Sequence, residues 1–463
     1  MRTDATATTT PTKTDVLAQL REVFESGRTR RPQWRAAQLR GIEQLVSQRE
    51  ARIVEALDAD LRRPPFEAWM GDIMVTAHEA SYARRHLRGW MRPNRTRLPL
   101  VQLPARASVR HEPLGTALIV GAWNYPIYLC LAPLVAAVAA GNCAVVKPSE
   151  MAPATSALLA ELVPQFLDGD AIRVVEGGAD TTQHLLSLGF DHALFTGGTE
   201  VGKRVMAAAA ETLTPVTLEL GGKNPVVVTR EADLEVAARR IAWLKIVNSG
   251  QTCIAPDYVI AEEGVRDELV AELSRYLAAF GGAGTESWSP IVNRRHYDRL
   301  TDMISSSRGT IVRGGGADPS SLRIEPTIIV DPDSSDNVMS EEIFGPVLPV
   351  VTVKSIDDAV SFIKARPKPL ALYVFSSPRV GQDIVDRVPS GGAVINHIAV
   401  HCMMPQLPFG GIGASGIGAY HGRWGFKTFS HRRAVVTTSA RPDPRLVYPP
   451  YRDWAWRILR KVL

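Results

Sequence analysis

The stretch TALIVGAWNYPIYLCLAPLVAAVAAGNCAVVKPSE (116–150) decides the fold. No charged residue occurs between Glu112 and Lys147, so hydropathy alone would flag part of it as a membrane span. A spanning helix needs about 20 predominantly apolar residues in a row. Here Asn124, Pro126, Pro133, Gly141 and Asn142 punctuate the run. TALIVG (116–121) and CAVVK (143–147) are short and apolar, and the segment near 127–140 is helix-forming. The pattern predicts strand, turn, helix, turn, strand, which is a βαβ unit of a buried parallel sheet.

The same texture continues on the C-terminal side. Apolar runs IRVVEG (172–177), HALFTG (192–197) and VTLELG (216–221) alternate with helical segments near 154–167, 181–188 and 200–211. Parallel sheets are covered on both faces, which accounts for strands without polar alternation. Ligands bind such sheets beyond the carboxyl ends of the strands. A second series has strands near 225–229, 256–261, 325–330, 346–352, 370–375 and 392–396, with helices near 233–247, 265–279, 356–364 and 378–388. Two α/β lobes are therefore expected. Upstream, residues 14–90 read as helices with a break from Asp58 to Pro65. LVQLPARASVRH (100–111) contains Pro104, which suits an edge strand or a hairpin arm crossing between domains. SRGTIVRGGGADPSS (307–321) reads as a surface loop, and TFSHRRAVVTT (428–438) as a polar strand.

Composition narrows the function classes. The chain has 463 residues, 45% hydrophobic and 22% charged, which excludes wholesale disorder. Fifty-three Lys and Arg against 48 Asp and Glu leave a net charge of +5, which calls for no nucleic-acid partner. Four cysteines without a CxxC pair point to free thiols in a reducing, cytoplasmic setting. The start, MRTDATATTTPTKTD, lacks the apolar core of a signal peptide, and residues 1–13 are expected to be disordered. No HExxH or clustered Cys/His spacing suggests a metal, and no GxSxG elbow or Walker loop appears.

Several residues carry chemistry. Cys253, in NSGQTCIAP (248–256), sits among small polar residues between a helix and a strand. It is either a packed thiol or an exposed nucleophile. Glu219 in LELGGKNP closes an apolar strand before two glycines. It is either paired with a lysine such as Lys223 or a general base with a pKa raised by desolvation. In FTGGTEVGK (195–203), a strand runs into Gly197 and Gly198, and a helix opens through Thr199 to Gly202. Amides at such a helix start favour phosphate, although the spacing is not GxGxxG. Lys147 and Glu150 in VVKPSE either bind ribose hydroxyls or form a surface ion pair. Asn124 in AWNYP is either a helix cap or an amide donor to an oxyanion.

Taken together, AWNYP, KPSE, FTGGTEVG, ELGGKNP, GQTC, EEIFGP and LPFGGIGASG resemble, in order and separation, the aldehyde dehydrogenase superfamily over about residues 15–440. YHGRWGFKTFSHRRAVV (420–436), the compact length and YPPY (448–451) resemble its class 3 branch of fatty, benzaldehyde-type and coniferyl aldehyde dehydrogenases. The resemblance implies an α/β fold with a Rossmann-variant cofactor domain, a second α/β catalytic domain and a small oligomerisation arm. It implies Cys253 as nucleophile, Glu219 as general base and Asn124 as oxyanion-binding amide, helped by the N–H of Cys253. Lys147 and Glu150 would contact the adenosine ribose. Gly197, Gly198, Thr199 and Gly202 would form the pyrophosphate turn. Glu342 and Phe344 would hold the nicotinamide ribose and ring. Gly198 departs from relatives with Ser or Asn there, which bears on cofactor affinity and on NAD against NADP.

The expected organisation is an NAD(P)-binding domain over 14–100 and 113–219, bridging strands at 101–112 and 427–440, a catalytic domain over 220–426 and a tail over 441–463. The expected reaction oxidises a small-molecule aldehyde to the acid through a Cys253 thiohemiacetal and thioester, in a homodimer. Alternatives are coenzyme A acylation, which Glu219 argues against, and a non-catalytic dinucleotide-binding protein. A third is a lipid-aldehyde enzyme touching a membrane surface. For this the tail YRDWAWRILRKVL (451–463) offers tryptophans and cations, although packing on the subunit or a solvated basic end is the commoner fate of such a segment.

Overall fold

The computed structural model describes residues 15–99, 102–281, 289–443 and 447–462. The stretch 1–13 lies outside them. In chain order the strands are β1 (Asn94–Thr96), β2 (Arg106–Pro113), β3 (Thr116–Val120), β4 (Cys143–Lys147), β5 (Ile172–Val174), β6 (His192–Gly197), β7 (Val216–Leu220), β8 (Pro225–Val228) and β9 (Tyr258–Glu262). They continue as β10 (Thr310–Arg313), β11 (Ala317–Asp318), β12 (Arg323–Ile324), β13 (Thr327–Val330), β14 (Val347–Val353), β15 (Ala371–Phe375), β16 (Gly392–Ile395), β17 (Gly416–Ile417) and β18 (Ser430–Thr437).

The opening stretch folds as its punctuation predicts. β3 and β4 are buried at every position and pair in parallel from Thr116↔Cys143 to Val120↔Lys147. The helix between them, Tyr128–Ala140, is buried from Leu129 to its end and stops at Gly141, whose φ of 94° is the left-handed helix stop. Its large side chains, Leu131 and Leu134 among them, each stabilise the fold by roughly 1.5–3 kcal/mol on burial. No residue next to the helix caps it. Asp72 reaches in from a π-helical turn (Trp69–Met74), and its Oδ1 accepts from the N–H of Ile127 at 3.0 Å and of Tyr128 at 2.9 Å.

One sheet has the order β17-β7-β6-β3-β4-β5, parallel except for β17, which is antiparallel on β7. The chain runs from β3 outward to β5, then returns to the other side of β3 for β6 and β7. The order therefore reverses between β3 and β6, where crevices form at strand carboxyl ends. The other large sheet has the order β10-β13-β14-β9-β8-β15-β16 and is parallel except at β10. A three-stranded antiparallel sheet, β1-β2-β18, joins residues 94–113 to 430–437.

Three expectations need correction. Of the two readings of 100–111 the edge strand fails and the arm of an antiparallel pair holds: β2 pairs with β1 as the middle strand of its sheet, and Pro104 lies before it, so no ladder donor is lost. The segment 307–321 is not all loop. β10 pairs antiparallel with β13, and β11 pairs with β12. A helix over Arg294–Ser306 also escaped the reading. Its buried face is Tyr297, Leu300, Met303 and Ile304, a helical spacing hidden among charges, and Asn293 caps it by accepting from the His296 N–H at 3.0 Å. The break near 58–65 is also shorter than expected, since a helix runs on to Leu61 and ends at Arg62 with φ 50°.

The tail forms a helix over Asp453–Val462 with Ala455 buried and Trp454, Trp456 and Ile458 exposed. No helix among the described residues is long and apolar enough to cross a membrane.

Candidate active site

A cleft of about 1040 Å³ opens at the carboxyl ends of β3, β4 and β6. Its wall includes Asn124, Lys147, Gly198, Glu219, Cys253 and Phe344, residues that lie up to 220 positions apart in the chain. Both halves of the molecule thus meet around one cavity.

Cys253 lies on the loop between the helix Leu234–Ile246 and β9. The approach is conformationally unusual: Asn248, Ser249 and Gly250 have φ of 50°, 52° and 69°. Left-handed backbone at two non-glycine residues in a row is uncommon and persists only where surroundings enforce it. Here Glu67 accepts from the Asn248 N–H at 2.9 Å and Ser249 Oγ donates to the Ser289 carbonyl, and buried side chains hold the chain beyond. Asn224 Nδ2 donates to the carbonyl oxygens of Cys253 (2.7 Å) and Ala255 (3.0 Å). Tyr373 OH donates to that of Ile254 at 2.6 Å, and Lys245 Nζ to that of Pro256 at 2.8 Å. Four consecutive carbonyls are therefore held from behind. The N–H of Cys253 has no acceptor among the described residues.

Glu219 is 1% exposed at the end of β7, and neither carboxylate oxygen has a hydrogen-bond partner. Desolvation pushes its pKa up to about 8. The nearby Cys253 thiol offsets this only in part, from outside regular hydrogen-bond geometry, and Glu342 adds to the rise. The pairing with Lys223 does not occur, because Lys223 is bound to Asp257 and to the carbonyls of Val338 (2.9 Å) and Glu341 (2.8 Å). Burial also raises the Cys253 thiol well above its ordinary value, followed by the charges of Glu219, Cys402 and Glu342. The protein surroundings therefore do not favour a standing thiolate. A thiol so placed reacts as a nucleophile only if a base takes its proton, and the carboxylate beside it is Glu219.

Asn124 does not cap the following helix, since Asp72 fills that role. Its Nδ2 donates one N–H to the carbonyl of Gln251 at 3.2 Å, which leaves the second for a ligand in the cleft that Asn124 lines. Its backbone carbonyl accepts from Arg63 and, at 3.2 Å, from Asn248 Nδ2.

The remainder of the cleft fits a dinucleotide. Gly198 precedes the helix Thr199–Ala210 and lines the cleft, and a Cβ built there meets nothing within 4 Å. Such a helix start attracts phosphate. Lys147 is buried at 3% exposure and bonded to Glu150 at 2.8 Å, so this pair is no ordinary surface bridge. Glu342 packs against Gly221, where a Cβ would sit 2.1 Å from its carboxylate. Phe344, at φ 48°, meets Trp123 edge-on at 5.5 Å. Gly197 also lines the cleft, and its Cβ would strike the Phe195 ring. Thr199 and Gly202, by contrast, do not line it. Thr199 donates to the Ala414 carbonyl at 3.3 Å, and Gly202 lets the helix rest on Leu220 of β7, where a Cβ would approach to 2.6 Å.

The open space at Gly198 gives a testable outcome. Gly198→Ser should fold normally, because φ −73° and ψ 151° suit any residue and a serine caps the helix. One added hydroxyl donor should tighten dinucleotide binding about fivefold, measured by fluorescence titration. An unchanged affinity would count against phosphate at this turn.

Sequence reasoning missed the supporting residues. Arg299 Nη1 and Nη2 donate to the carbonyls of Glu342 (3.1 Å) and Ile343 (2.6 Å), fixing the segment that carries Phe344. Asn224 stood inside the ELGGKNP motif, but nothing in its spacing showed that it would hold the cysteine loop. Among the described residues, no group of three or more His, Cys, Asp or Glu could hold a metal.

Comparison with known proteins gives the family. A model of the aldehyde dehydrogenase family matches residues 4–435. Aldehyde dehydrogenase family 3 member B1 of Mus musculus is 44% identical over 452 residues, covering 96% of this chain and 96% of its own. The dimeric NADP-preferring aldehyde dehydrogenase of the same species is 42% identical over 441 residues, covering 94% of this chain and 97% of its own. The structure of the substrate-bound state of Staphylococcus aureus AldH aligns with a TM-score of 0.94 at 38% identity, covering 98% of this chain and 99% of its own.

Proposed function

Because the chain belongs to the aldehyde dehydrogenase family and oxidises aldehydes with a nicotinamide dinucleotide, we propose that Cys253, Glu219 and Asn124 carry the reaction and that water, not coenzyme A, releases the product. The observation that supports this most is Glu219: a buried carboxylate with both oxygens unpartnered, beside the thiol, with its pKa raised to about 8. A general base works best when its pKa is near the working pH.

In this reading Cys253 Sγ forms a bond to the aldehyde carbon while its proton passes to Glu219. Asn124 Nδ2 and the N–H of Cys253 hold the oxygen as it becomes negative. Loss of hydride from that carbon leaves a thioester on Cys253. The oxidised nicotinamide, when bound, is the acceptor of that hydride, and Lys147, Glu150, Gly197, Gly198, Glu342 and Phe344 would hold the dinucleotide. Glu219 releases that first proton to solvent and, ionised again, takes a proton from water as the water attacks the thioester, passing it on to the departing sulfur. The carboxylic acid leaves and the thiol is restored.

The preferred dinucleotide is NAD. Although partial burial works against it, the hydrogen bond from Lys147 lowers the pKa of Glu150, so a carboxylate stands where a 2′-phosphate would come. We also place the protein as a homodimer through β18, whose second edge is free among the described residues. Turnover in H₂¹⁸O tests the hydrolytic step. One ¹⁸O should enter each acid molecule released, with no acyl-coenzyme A formed when coenzyme A is supplied. Product carried off as an acyl-coenzyme A would overturn the reading.

A further inference from the structure

A second group of residues converges on Asn124 from the N-terminal helices, and the reaction as described makes no use of it. Arg63 and Asp72 form an ion pair with both side chains wholly buried. Such a pair is a poor stabiliser, since well-packed apolar residues of similar volume are often as good or better. Nor is the guanidinium fully satisfied, because its Nε has no partner. Its other contacts are directed. One terminal nitrogen meets Asp72 and the other donates to the backbone carbonyl of Asn124, while the plane covers the Tyr125 ring at 4.6 Å.

The peptide after Asn124 is thus gripped from two sides. Arg63 reaches its carbonyl from one side, and Asn248, from the cysteine loop, reaches the same oxygen from the other. Tyr125 OH bonds Thr252 Oγ1 at 2.8 Å, next to the nucleophile, and Glu67 accepts from the Asn248 N–H at 2.9 Å. Asp72 also caps the helix that begins four residues beyond Asn124.

We propose that Arg63, anchored by Asp72, is a positioning residue that fixes the Asn124 backbone and so aims the Asn124 amide at the oxygen bound to the Cys253 adduct. This rests on the reading of Asn124 as an oxyanion donor. Displacement of such a donor by about 1 Å costs on the order of 10²-fold in rate.

The test is a double-mutant cycle on the rate of the first NADH burst, with saturating dinucleotide. Arg63→Met and Arg63→Lys are each made in the native chain and in the Asn124→Ala background. Asn124→Ala alone should slow the burst by about 10²–10³-fold. Arg63→Met should slow it by about 30-fold in the native chain and less than about twofold when Asn124 is already gone. Lysine keeps the charge against Asp72 but lacks the planar fork, so it should lose less, with the same dependence on background. If the methionine variant does not fold, the lysine pair carries the comparison. Equal slowing in both backgrounds would overturn the proposal, since Arg63 would then act on something other than the amide. A burst unaffected by Asn124→Ala would remove the reading of Asn124 itself, and the proposal with it.

Discussion

Replacing Cys253 by alanine should lower NADH formation from an aldehyde by roughly 10⁴-fold or more, the scale on which removal of a covalent nucleophile acts. Dinucleotide binding should stay within about twofold of native. The separation follows from how the loop is held. Asn224, Tyr373 and Lys245 grip the backbone carbonyls of residues 253–256, so deleting one sulfur atom leaves the main chain in place. Cys130 and Cys143 cannot take its place, since neither reaches the cleft. Burial pushes Cys130, Cys143 and Cys402 each up to about 12, and Cys130 and Cys143 are fully enclosed in packed hydrocarbon. Stopped-flow absorbance at the NADH band measures the first quantity and fluorescence titration the second. Normal turnover in the alanine variant would eliminate the thioester route.

Glu219→Gln should separate the two halves of the reaction. The variant's first release of NADH should slow, because Glu219 also takes the thiol proton, and steady turnover should fall further, by about 10²–10⁴-fold, because deacylation depends on the base alone. Intact-mass measurement should find the acyl group retained on Cys253. The pH dependence has a definite sign. Glu219 acts as a base only when ionised, so native deacylation should rise with pH through about 8, and that limb should vanish with glutamine.

Stability should move in the opposite direction to activity. Below about pH 4.5 the carboxyl is protonated in both folded and unfolded chains and imposes no penalty. Between 4.5 and about 8 the unfolded chain releases the proton while the folded chain retains it, so folding is disfavoured increasingly as pH rises. Above about 8 the penalty is constant. Glutamine removes it, and the variant should be more stable near neutrality by on the order of 1–3 kcal/mol in urea titrations. A stability difference between native and glutamine proteins that is the same at pH 5 and pH 8 would contradict the buried, raised carboxyl.

How much of this was legible in the chain depended on the range of the interaction. β3, β4 and β6 showed themselves because burial on both faces leaves unbroken apolar runs bounded by glycine and proline. The raised carboxyl of Glu219 could be anticipated from a charge set in an apolar strand before two glycines. β10 could not, because an exposed strand in a glycine-rich segment takes its structure from pairing with β13. The grips on the reaction centre were equally hidden. Arg63 reaches a carbonyl 61 residues away, and Asn224 reaches the Cys253 carbonyl 29 residues on. Such contacts have no local periodicity, and only the folded chain brings them together.

The four anchored carbonyls behind Cys253 divide evolutionary freedom unevenly. The backbone that carries this sulfur is tied to the residue that opens onto β8, to β15 and to the helix that precedes its loop. Residues further along the chain, whose packing does not set the nucleophile, remain open to drift. Substitutions in loops that touch none of these anchors should therefore leave the thiol where it stands.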